Sequence, residues 1–267
     1  MTTKAIERTN FNLIPNFSHK EESCDEHGVF SSTKYPSGWS RCPECMKNEE
    51  TARIKAEHQQ RILDYERKQK ENEIAERIEH IVRCGIPERF IDKRISTFTA
   101  KTDGQKEALD FSIEYAASFS GKKGRCAIFI GKPGTGKTHL AVGIGMALIG
   151  ERKSVRFCTV IRAIRRVKES WSKNSEETES QAIEFFVRPD LLILDEVGVQ
   201  FGSEAEKLIL FDIMNERYEK MKSTILVSNL TVPEVKEYLG ERIFDRMRED
   251  GGRFVSFDWE SYRGKSL

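Results

Sequence analysis

The sequence lacks the marks of a membrane or secreted protein. None of its 267 residues falls in an apolar run of about eighteen, the length that a membrane-spanning helix needs. Residues 1–8 contain charged and polar side chains and no apolar signal-peptide core. The net charge is only +1, so any nucleic-acid surface has to be a local patch. We therefore expect a cytoplasmic protein that has no membrane partner.

Excess cysteine is also absent, and the six cysteines present are not expected to form disulfides in a reducing compartment. Cys84, Cys126 and Cys158 stand alone in helix-like or strand-like segments, which is typical of buried thiols. The other three occur with a histidine near the start of the chain. That segment is too small to build its own core, so a bound metal would have to supply the folding energy.

Two C-x-x-[CH] knuckles make this early segment a candidate zinc site. Cys24 pairs with His27, and Cys42 pairs with Cys45. Two-residue spacers let each pair hold one ion from a tight turn, and four nitrogen or sulfur ligands suit a closed, structural Zn²⁺. Free thiols beside an unrelated histidine are the alternative. The sequence thus predicts a zinc-binding domain in residues 1–48.

Glycine and proline are absent from residues 47–83. Good helix formers dominate this segment, and Ile74, Ile78 and Ile81 recur at helical spacing, so a single long helix is predicted. We interpret residues 49–85 as a charged helical linker that binds a partner. A plain, solvated linker helix is the alternative.

The most informative feature that is present is a complete phosphate loop at residues 131–138. It reads G-x-x-x-x-G-K-[ST] and follows the apolar run 126–130. Glycines let several backbone N–H groups point at one phosphate, and the dipole of the next helix adds positive potential. Lys137 is expected to reach the β- and γ-phosphates, and Thr138 to hold Mg²⁺. The predicted ATP-binding residues are Gly131, Lys132, Pro133, Gly134, Thr135, Gly136, Lys137, Thr138 and His139.

Two acidic residues, Asp195 and Glu196, come directly after the apolar run 191–194. The carboxyl ends of parallel strands form the ligand-binding edge of an open α/β sheet, so both carboxylates are expected beside the phosphate loop. Asp195 would complete the Mg²⁺ shell, and Glu196 would polarise the water that attacks the γ-phosphate. A strand followed by an ordinary polar turn is the alternative. The pair extends predicted ATP binding to predicted ATP hydrolysis.

Strand-like and helix-like segments alternate from about residue 88 onward. The predicted strands are 126–130, 154–158, 190–194, 224–228 and 253–257. The predicted helices are 103–118, 138–150, 159–171, 204–221 and 233–248. This order predicts an α/β domain over residues 86–267, with a five-stranded parallel sheet covered by helices on both faces.

Polar and basic residues follow the fourth predicted strand. Asn229 stands where it can hydrogen-bond the γ-phosphate or the attacking water, with a turn asparagine as the alternative. Arg242 and Arg246 are four residues apart and share a helix face. An arginine from a neighbouring subunit can stabilise charge on a transferring phosphoryl group. A solvated basic helix face accounts equally well for this spacing.

These motifs resemble the AAA+ ATPases and, more narrowly, the DnaC-type replicative helicase loaders. The most specific matches are Leu-Gly-Glu-Arg-Ile-Phe-Asp-Arg-Met-Arg at 239–248 and Phe-Asp-Trp-Glu-Ser-Tyr-Arg at 257–263. The resemblance covers roughly residues 84–267. A zinc knuckle ahead of that region is similar to phage and prophage versions of the family.

The resemblance implies roles for four residues of the predicted ATPase domain. Asn229 corresponds to sensor 1, Arg246 to the arginine finger with Arg242 beside it, and Arg263 to the sensor-2 arginine. Only ten residues follow Phe257, so no C-terminal helical lid is expected. Members of the family resemble one another in binding single-stranded DNA inside a ring of subunits.

A basic segment after the second predicted strand is a candidate surface for that DNA. Its charged and aromatic residues are Arg162, Arg165, Arg166, Trp171 and Lys173. Basic side chains contact phosphates, and an aromatic ring can stack on bases. The alternative, which is compatible with the first, is an amphipathic helix whose apolar side packs in the core.

Taken together, the sequence favours an ATP-dependent loader that places a hexameric replicative helicase on single-stranded DNA. In this interpretation the zinc knuckle and linker helix hold the helicase, the ATPase domains self-associate, and hydrolysis at the subunit interface releases the helicase. An IstB-type transposition helper ATPase is one alternative. A zinc adaptor with a purely structural nucleotide site is another, although Lys137, Thr138, Asp195 and Glu196 argue against it.

Overall fold

The computed structural model describes residues 17–121, 123–198 and 203–262. Two compact units divide the chain, and the division falls between Glu73 and Ile74. The domain limits at residues 48 and 85 stay predictions. Among the described residues, no helix combines the length and apolar character that crossing a bilayer requires.

A small antiparallel sheet opens the first unit. Strand β1 (His19–Cys24) pairs with β2 (Gly28–Tyr35), and the short β3 (Gly38–Trp39) pairs with the end of β2. The sequence did not predict these strands, because they lack the apolar alternation that marks a half-buried strand. In β2, for example, Ser32 is buried while Val29 is 71% exposed. Strand pairing here brings the two halves of the predicted zinc site together.

A long helix, α1 (Pro43–Arg83), follows the sheet. Its first residue is a proline, which is well suited to the first turn because no helical hydrogen bond needs its missing N–H. The described side chains from residue 46 to residue 80 are exposed, and burial begins at Ile81. Cys84 and Ile86 then join the core of the second unit.

The second unit contains a five-stranded sheet with the order β5-β6-β7-β4-β8. Every neighbouring pair in it is parallel, so the predicted sheet is confirmed. The strands are β4 (Ala127–Gly131), β5 (Val155–Thr159), β6 (Leu191–Val197), β7 (Ser223–Ser228) and β8 (Arg253–Phe257). The short helical turns Glu88–Phe90, Ile95–Thr97 and Glu249–Gly251 lie in its connections.

Helices cover both faces of this sheet, as predicted. The helices are α2 (Asp103–Ala117), α3 (Lys137–Gly150), α4 (Val160–Glu169), α5 (Glu179–Val187), α6 (Glu204–Glu219), α7 (Val232–Leu239) and α8 (Glu241–Arg246). Residues of α2 and α3 pack on one face, and residues of α4 to α8 pack on the other. Each strand contributes alternate side chains to the two cores, so the sheet lies between two layers of helices.

Several sequence-based boundaries were wrong. The predicted helix over 233–248 is two helices, because Gly240 has a φ of 78° and ends α7. Helix α5 was not predicted at all. Helix α4 ends at Glu169, so Trp171 and Lys173 lie in the following loop and not on the helix. Cys158 is only half-buried, whereas Cys84 and Cys126 are buried as predicted.

Candidate nucleotide site and metal centre

The phosphate loop connects β4 to α3 at the carboxyl edge of the sheet. Gly131 has a φ of 134°, and a Cβ atom there would lie 2.2 Å from the carbonyl oxygen of Phe257 on the neighbouring strand. Gly136 has a φ of 97°, and a Cβ atom would lie 2.6 Å from the Phe98 ring. Both positions therefore require glycine, and the loop is held closely on two sides.

Lys137 is buried and its ammonium group points back into the loop. Its Nζ donates hydrogen bonds to the carbonyl oxygens of Gly131 at 2.7 Å and Lys132 at 2.6 Å. These carbonyl groups hold the positive charge at the mouth of the loop. A bound triphosphate would replace them with stronger, charge-assisted acceptors.

Thr138 and Asp195 form the candidate Mg²⁺ site. The Thr138 hydroxyl donates to Asp195 Oδ2 at 2.9 Å, and the backbone N–H of Glu196 donates to Asp195 Oδ1 at 2.8 Å. Burial raises the pKa of Asp195. A hydroxyl and a carboxylate are oxygen donors that fit Mg²⁺, which usually keeps several waters and binds substrate phosphates. A cation here would offset the cost of burying the carboxylate.

Glu196 has an unusual backbone conformation at the end of β6. Its φ is 61°, in the left-handed region that non-glycine residues seldom adopt. The pairing of β6 with β7 is irregular between Leu194 and Val197, and the Ser228 hydroxyl donates to the Val197 carbonyl at 2.7 Å. Here the chain turns so that Glu196 is exposed while Asp195 is half-buried. Adjacent carboxylates thus have different environments and can take different roles.

Aromatic residues that sequence reasoning did not assign to the site support the phosphate loop. The Trp259 indole N–H donates to the Thr135 carbonyl at 2.9 Å, and the Tyr262 backbone N–H donates to the Gly134 carbonyl at 2.9 Å. Phe98 packs edge-on against Tyr262, with ring centroids 5.9 Å apart. The motif at 257–263 was the available signal, because two of these aromatic residues belong to it.

The His139 side chain contacts the segment that precedes α2. Its Nε2 lies 2.9 Å from the Arg94 carbonyl oxygen and 3.1 Å from the Thr97 hydroxyl. Burial lowers the pKa of His139, so the neutral imidazole predominates at pH 7. The neutral imidazole links the start of α3 to residues 94–97 through these contacts. Its predicted contact with nucleotide stays a prediction.

Of two further residues that were assigned by resemblance, the structure describes Asn229 and does not describe Arg263. Asn229 is exposed directly after β7, on the same sheet edge as the phosphate loop, since Ile130 and Ser228 are paired. Arg263 lies outside the described residues.

The candidate finger arginines lie together on α8 but have different surroundings. Arg242 is exposed, with its guanidinium carbon 5.7 Å from the Phe211 ring centroid. Arg246 is half-buried and donates a hydrogen bond to Asn215 Oδ1 on α6. Its guanidinium carbon lies 4.3 Å from the Tyr218 ring centroid. Arg246 therefore has a defined orientation that the sequence spacing did not reveal.

The four predicted zinc ligands converge in the first unit. Their ligand atoms all lie within 4.8 Å of one another. Cys24 Sγ is 3.5 Å from Cys45 Sγ, and His27 Nδ1 is 3.3 Å from Cys45 Sγ and 3.8 Å from Cys42 Sγ. Tetrahedral Zn²⁺ with thiolate and imidazole ligands requires separations of roughly 3.5–3.8 Å. The cluster fits zinc in donor type and in spacing.

Electrostatics in this cluster also favour a cation. Hydrogen bonds from the backbone of Glu26 and from His27 lower the pKa of Cys24 to about 6. A hydrogen bond with Cys24 and burial raise the pKa of Cys45 to about 12. Ionising one thiol therefore opposes ionising the next, and a divalent cation would relieve this repulsion. His27 Nε2 faces the Asn48 amide at 3.4 Å, which leaves Nδ1 toward the thiols.

The candidate DNA surface is less uniform than its sequence suggests. Arg162 and Arg165 on α4 are exposed, as are Trp171 and Lys173 in the loop that follows. Arg166 is instead paired with Glu177 at 2.7 Å, and its guanidinium carbon lies 3.7 Å from the Phe185 ring centroid. These contacts link α4 to α5, and they leave the Arg166 guanidinium less available to a DNA phosphate.

The fold and site together define a class of protein. The chain has the AAA+ P-loop fold, with a phosphate loop at the start of α3, an Asp-Glu pair at the end of β6 and the strand order β5-β6-β7-β4-β8. The crystal structure of the DnaC helicase loader matches 64% of this chain and 99% of its own, with a TM-score of 0.58 and 23% identity.

Sequence comparison gives the family. The model for IstB-like ATP binding proteins matches residues 105–266. The replicative helicase loader DnaC of Buchnera aphidicola subsp. Baizongia pistaciae is 38% identical over 183 residues, which are 68% of this chain and 74% of that protein. The protein of the same name from Escherichia coli K12 is 36% identical over 183 residues, with the same coverage. The chain belongs to the DnaC-type loaders of the IstB-like ATP-binding family.

Proposed function

We propose that this protein loads a replicative DNA helicase onto single-stranded DNA and hydrolyses ATP to do so. Similarity to helicase loaders named DnaC over two thirds of the chain supports the helicase as partner. The observation that carries the ATPase proposal is the bond between Thr138 and Asp195, 2.9 Å long, at the mouth of the phosphate loop. It sets two oxygen ligands for Mg²⁺ where the β- and γ-phosphates would lie.

In the proposed reaction, Lys137 contacts the phosphates while Thr138 and Asp195 hold Mg²⁺, which would neutralise charge on the transferring group. Glu196 polarises the attacking water, and Asn229 orients that water or the γ-phosphate. Arg246 of a neighbouring subunit stabilises the charge that develops in the transition state. Because this arginine comes from another subunit, hydrolysis depends on assembly and can act as a release switch.

The first test is steady-state ATPase activity with single-stranded DNA and the cognate helicase present. Lys137→Ala and Glu196→Gln are expected to lower turnover by about 10²-fold or more, because Lys137 contacts the phosphates and Glu196 polarises the attacking water. Arg246→Ala is expected to lower turnover as well, with Lys207→Ala on α6 as the surface control. Arg242→Ala reports whether the second candidate finger arginine contributes. If wild-type protein binds ATP but shows no turnover under these conditions, the adaptor alternative is correct.

The second test concerns the division of labour between the two units. We propose that the zinc-binding unit and α1 contact the helicase, since the described side chains of α1 from residue 46 to residue 80 are exposed. Pull-down of helicase by the full chain is expected to fail when Ile54, Ile62 and Tyr65 are changed to serine. Recovery of a transposase and not of a helicase would favour the IstB-type alternative, which the family match keeps open.

A third test addresses DNA. Arg162 and Arg165 are exposed cations on α4, and Trp171 in the next loop is 49% exposed. Changing both arginines to alanine is expected to weaken binding to single-stranded DNA uniformly across sequences. It should also reduce the salt dependence by roughly one unit of slope per lost phosphate contact. Fluorescence anisotropy over a salt series measures both, with Lys207→Ala as control.

A further inference from the structure

Arg246 is held by a set of contacts that nothing in the phosphate-loop chemistry requires. Asn215 accepts a hydrogen bond from the Arg246 guanidinium through Oδ1. The amide of Asn215 cannot turn freely, because its Nδ2 donates to Glu219 Oε1 at 2.7 Å. This second bond fixes which end of the amide faces the arginine.

A tyrosine supplies the second contact. The Tyr218 ring lies under the Arg246 guanidinium at 4.3 Å, within the range of a cation–π interaction. Its hydroxyl donates to Glu249 Oε2 at 2.6 Å, on the short helical turn that follows α8. The bond to Glu249 therefore fixes the Tyr218 ring beneath the arginine, because the ring cannot rotate away without breaking this charge-assisted hydrogen bond.

Within the described residues, the neighbouring Arg242 lacks comparable contacts, so the fixed orientation is a property of Arg246 and not of every arginine on α8. It lies one turn earlier on the same helix, is exposed, and lies farther from an aromatic ring than Arg246 does. An arginine side chain loses rotamer entropy when it is fixed in one geometry. Fixing Arg246 before assembly removes that cost from the step in which it meets a phosphate.

We propose that Asn215 and Tyr218 are positioning residues for Arg246 in ATP hydrolysis. They orient its guanidinium toward the nucleotide site of the adjacent subunit, so that turnover in one subunit depends on two residues of α6 in the next. This inference rests on the proposed role of Arg246 in trans. It assigns function to a helix that carries no recognised nucleotide motif.

The first experiment separates positioning from folding. Asn215→Ala and Tyr218→Leu are expected to lower turnover about tenfold with little change in the KM for ATP, because ATP contacts another subunit; tenfold corresponds to about 1.4 kcal/mol of barrier. Asn215→Asp and Tyr218→Phe are expected to lose less activity than Asn215→Ala and Tyr218→Leu, since they keep the acceptor and the ring and lose only the bonds to Glu219 and Glu249. Lys207→Ala on the same helix is the surface control. Equal activity of all four variants and wild type overturns the proposal.

The second experiment tests action across subunits. Asn215→Ala protein is mixed with an excess of Glu196→Gln protein, which keeps the phosphate-loop lysine and the finger but lacks the polarising carboxylate. Mixed assemblies then place an intact Arg246 beside the intact nucleotide site of the Asn215 variant. Turnover per Asn215→Ala subunit is expected to rise several-fold. No rise means that Asn215 acts within its own subunit, which overturns the inference.

The Arg246→Ala variant in the same mixing assay distinguishes failure of the finger assignment from failure of the positioning inference. If Arg246→Ala alone retains full activity, the finger assignment itself is wrong, whatever the Asn215 result. If Arg246→Ala is inactive alone and rescued by mixing, while Asn215→Ala is fully active alone, only the positioning inference fails. The KM for ATP is measured in every arm, because a structural defect would raise it along with lowering kcat.

Discussion

Arg217 illustrates how much one buried residue can hold in place. It is 1% exposed, and its Nη1 donates to the carbonyl oxygens of Phe186 at 2.8 Å and of Val187 and Pro189 at 3.0 Å. Its Nε donates to the Thr224 hydroxyl at 2.9 Å. Burial lowers the pKa of Arg217 to about 10, so it still carries its charge at pH 7. No carboxylate accepts from it in these bonds, and peptide dipoles supply the stabilisation.

Replacing Arg217 by methionine is expected to destabilise the second unit by about 3–5 kcal/mol, because several buried carbonyl groups lose their donor. Arg217→Lys should recover only part of this, since an ammonium cannot reach the same forked set of acceptors. Urea unfolding followed by tryptophan fluorescence measures the change. Arg188→Met, at an exposed position on the end of α5, serves as the control and should shift stability by less than about 0.5 kcal/mol. Equal effects of the two substitutions would contradict this account.

The proximity of Asp195 to the phosphate loop was predictable, because the two motifs fix both spacing and local structure. The bond between Thr138 and Asp195 follows from a strand, a loop and a second strand that must meet at one sheet edge. The contacts of Arg246 were not predictable, because Asn215 and Tyr218 lie on α6 and belong to no motif. Only packing of α6 against α8 brings them together. Asn215 and Tyr218 precede Arg246 by 31 and 28 residues, and no sequence periodicity links residues so far apart.

At the scale of elements, the strands of the large sheet are tied together at their amino ends. Asp190 precedes β6, Ser154 precedes β5 and Lys222 precedes β7. The Ser154 hydroxyl donates to Asp190 Oδ2 at 2.7 Å, and Lys222 Nζ lies 2.9 Å from Asp190 Oδ1. One carboxylate therefore links three adjacent strands at the edge opposite the nucleotide site.

This link predicts an acid-dependent stability. Burial acts to raise the pKa of Asp190, but bonds from Lys222 and Ser154 outweigh it and hold the pKa at about 2. Because the folded pKa lies below the unfolded value of about 3.9, the stabilisation is present above pH 4 and is lost as the pH falls toward 2. Asp190→Asn should cost about 1–2 kcal/mol at pH 7 and progressively less below pH 4. Urea unfolding at several pH values tests this, with exposed Asp110→Asn as control; a difference independent of pH would refute it.

The elements themselves were predictable where the hydrophobic period was strong and missed where it was short. Helix α5 has a capping box, in which Thr178 accepts from Gln181 and Gln181 accepts in return. That pair was the available signal in a segment rich in serine and glutamate. Gly240 likewise marked the break between α7 and α8. The first small sheet had no such signal, because its strands lack apolar alternation. We expect them to depend on strand pairing and on a bound metal.

At the scale of the whole molecule, two units with separate means of stabilisation predict separable functions. The core of the second unit is apolar on both faces of its sheet, while the first unit brings four candidate zinc-ligand atoms within 4.8 Å of one another. Removing bound Zn²⁺ should therefore unfold the small sheet and leave the core of the second unit intact. We expect one zinc per chain by mass spectrometry of the metal.

Cys42→Ser should abolish zinc binding and helicase pull-down and expose residues 17–42 to protease, while basal ATPase activity stays within about twofold of wild type. Cys158→Ser is the matched control, because it removes a half-buried thiol from β5 and no zinc ligand. It should retain zinc, helicase binding and protease resistance. Loss of basal ATPase activity in proportion to loss of zinc would show that the two units fold as one. Retention of helicase binding without zinc would place the binding surface on α1 alone.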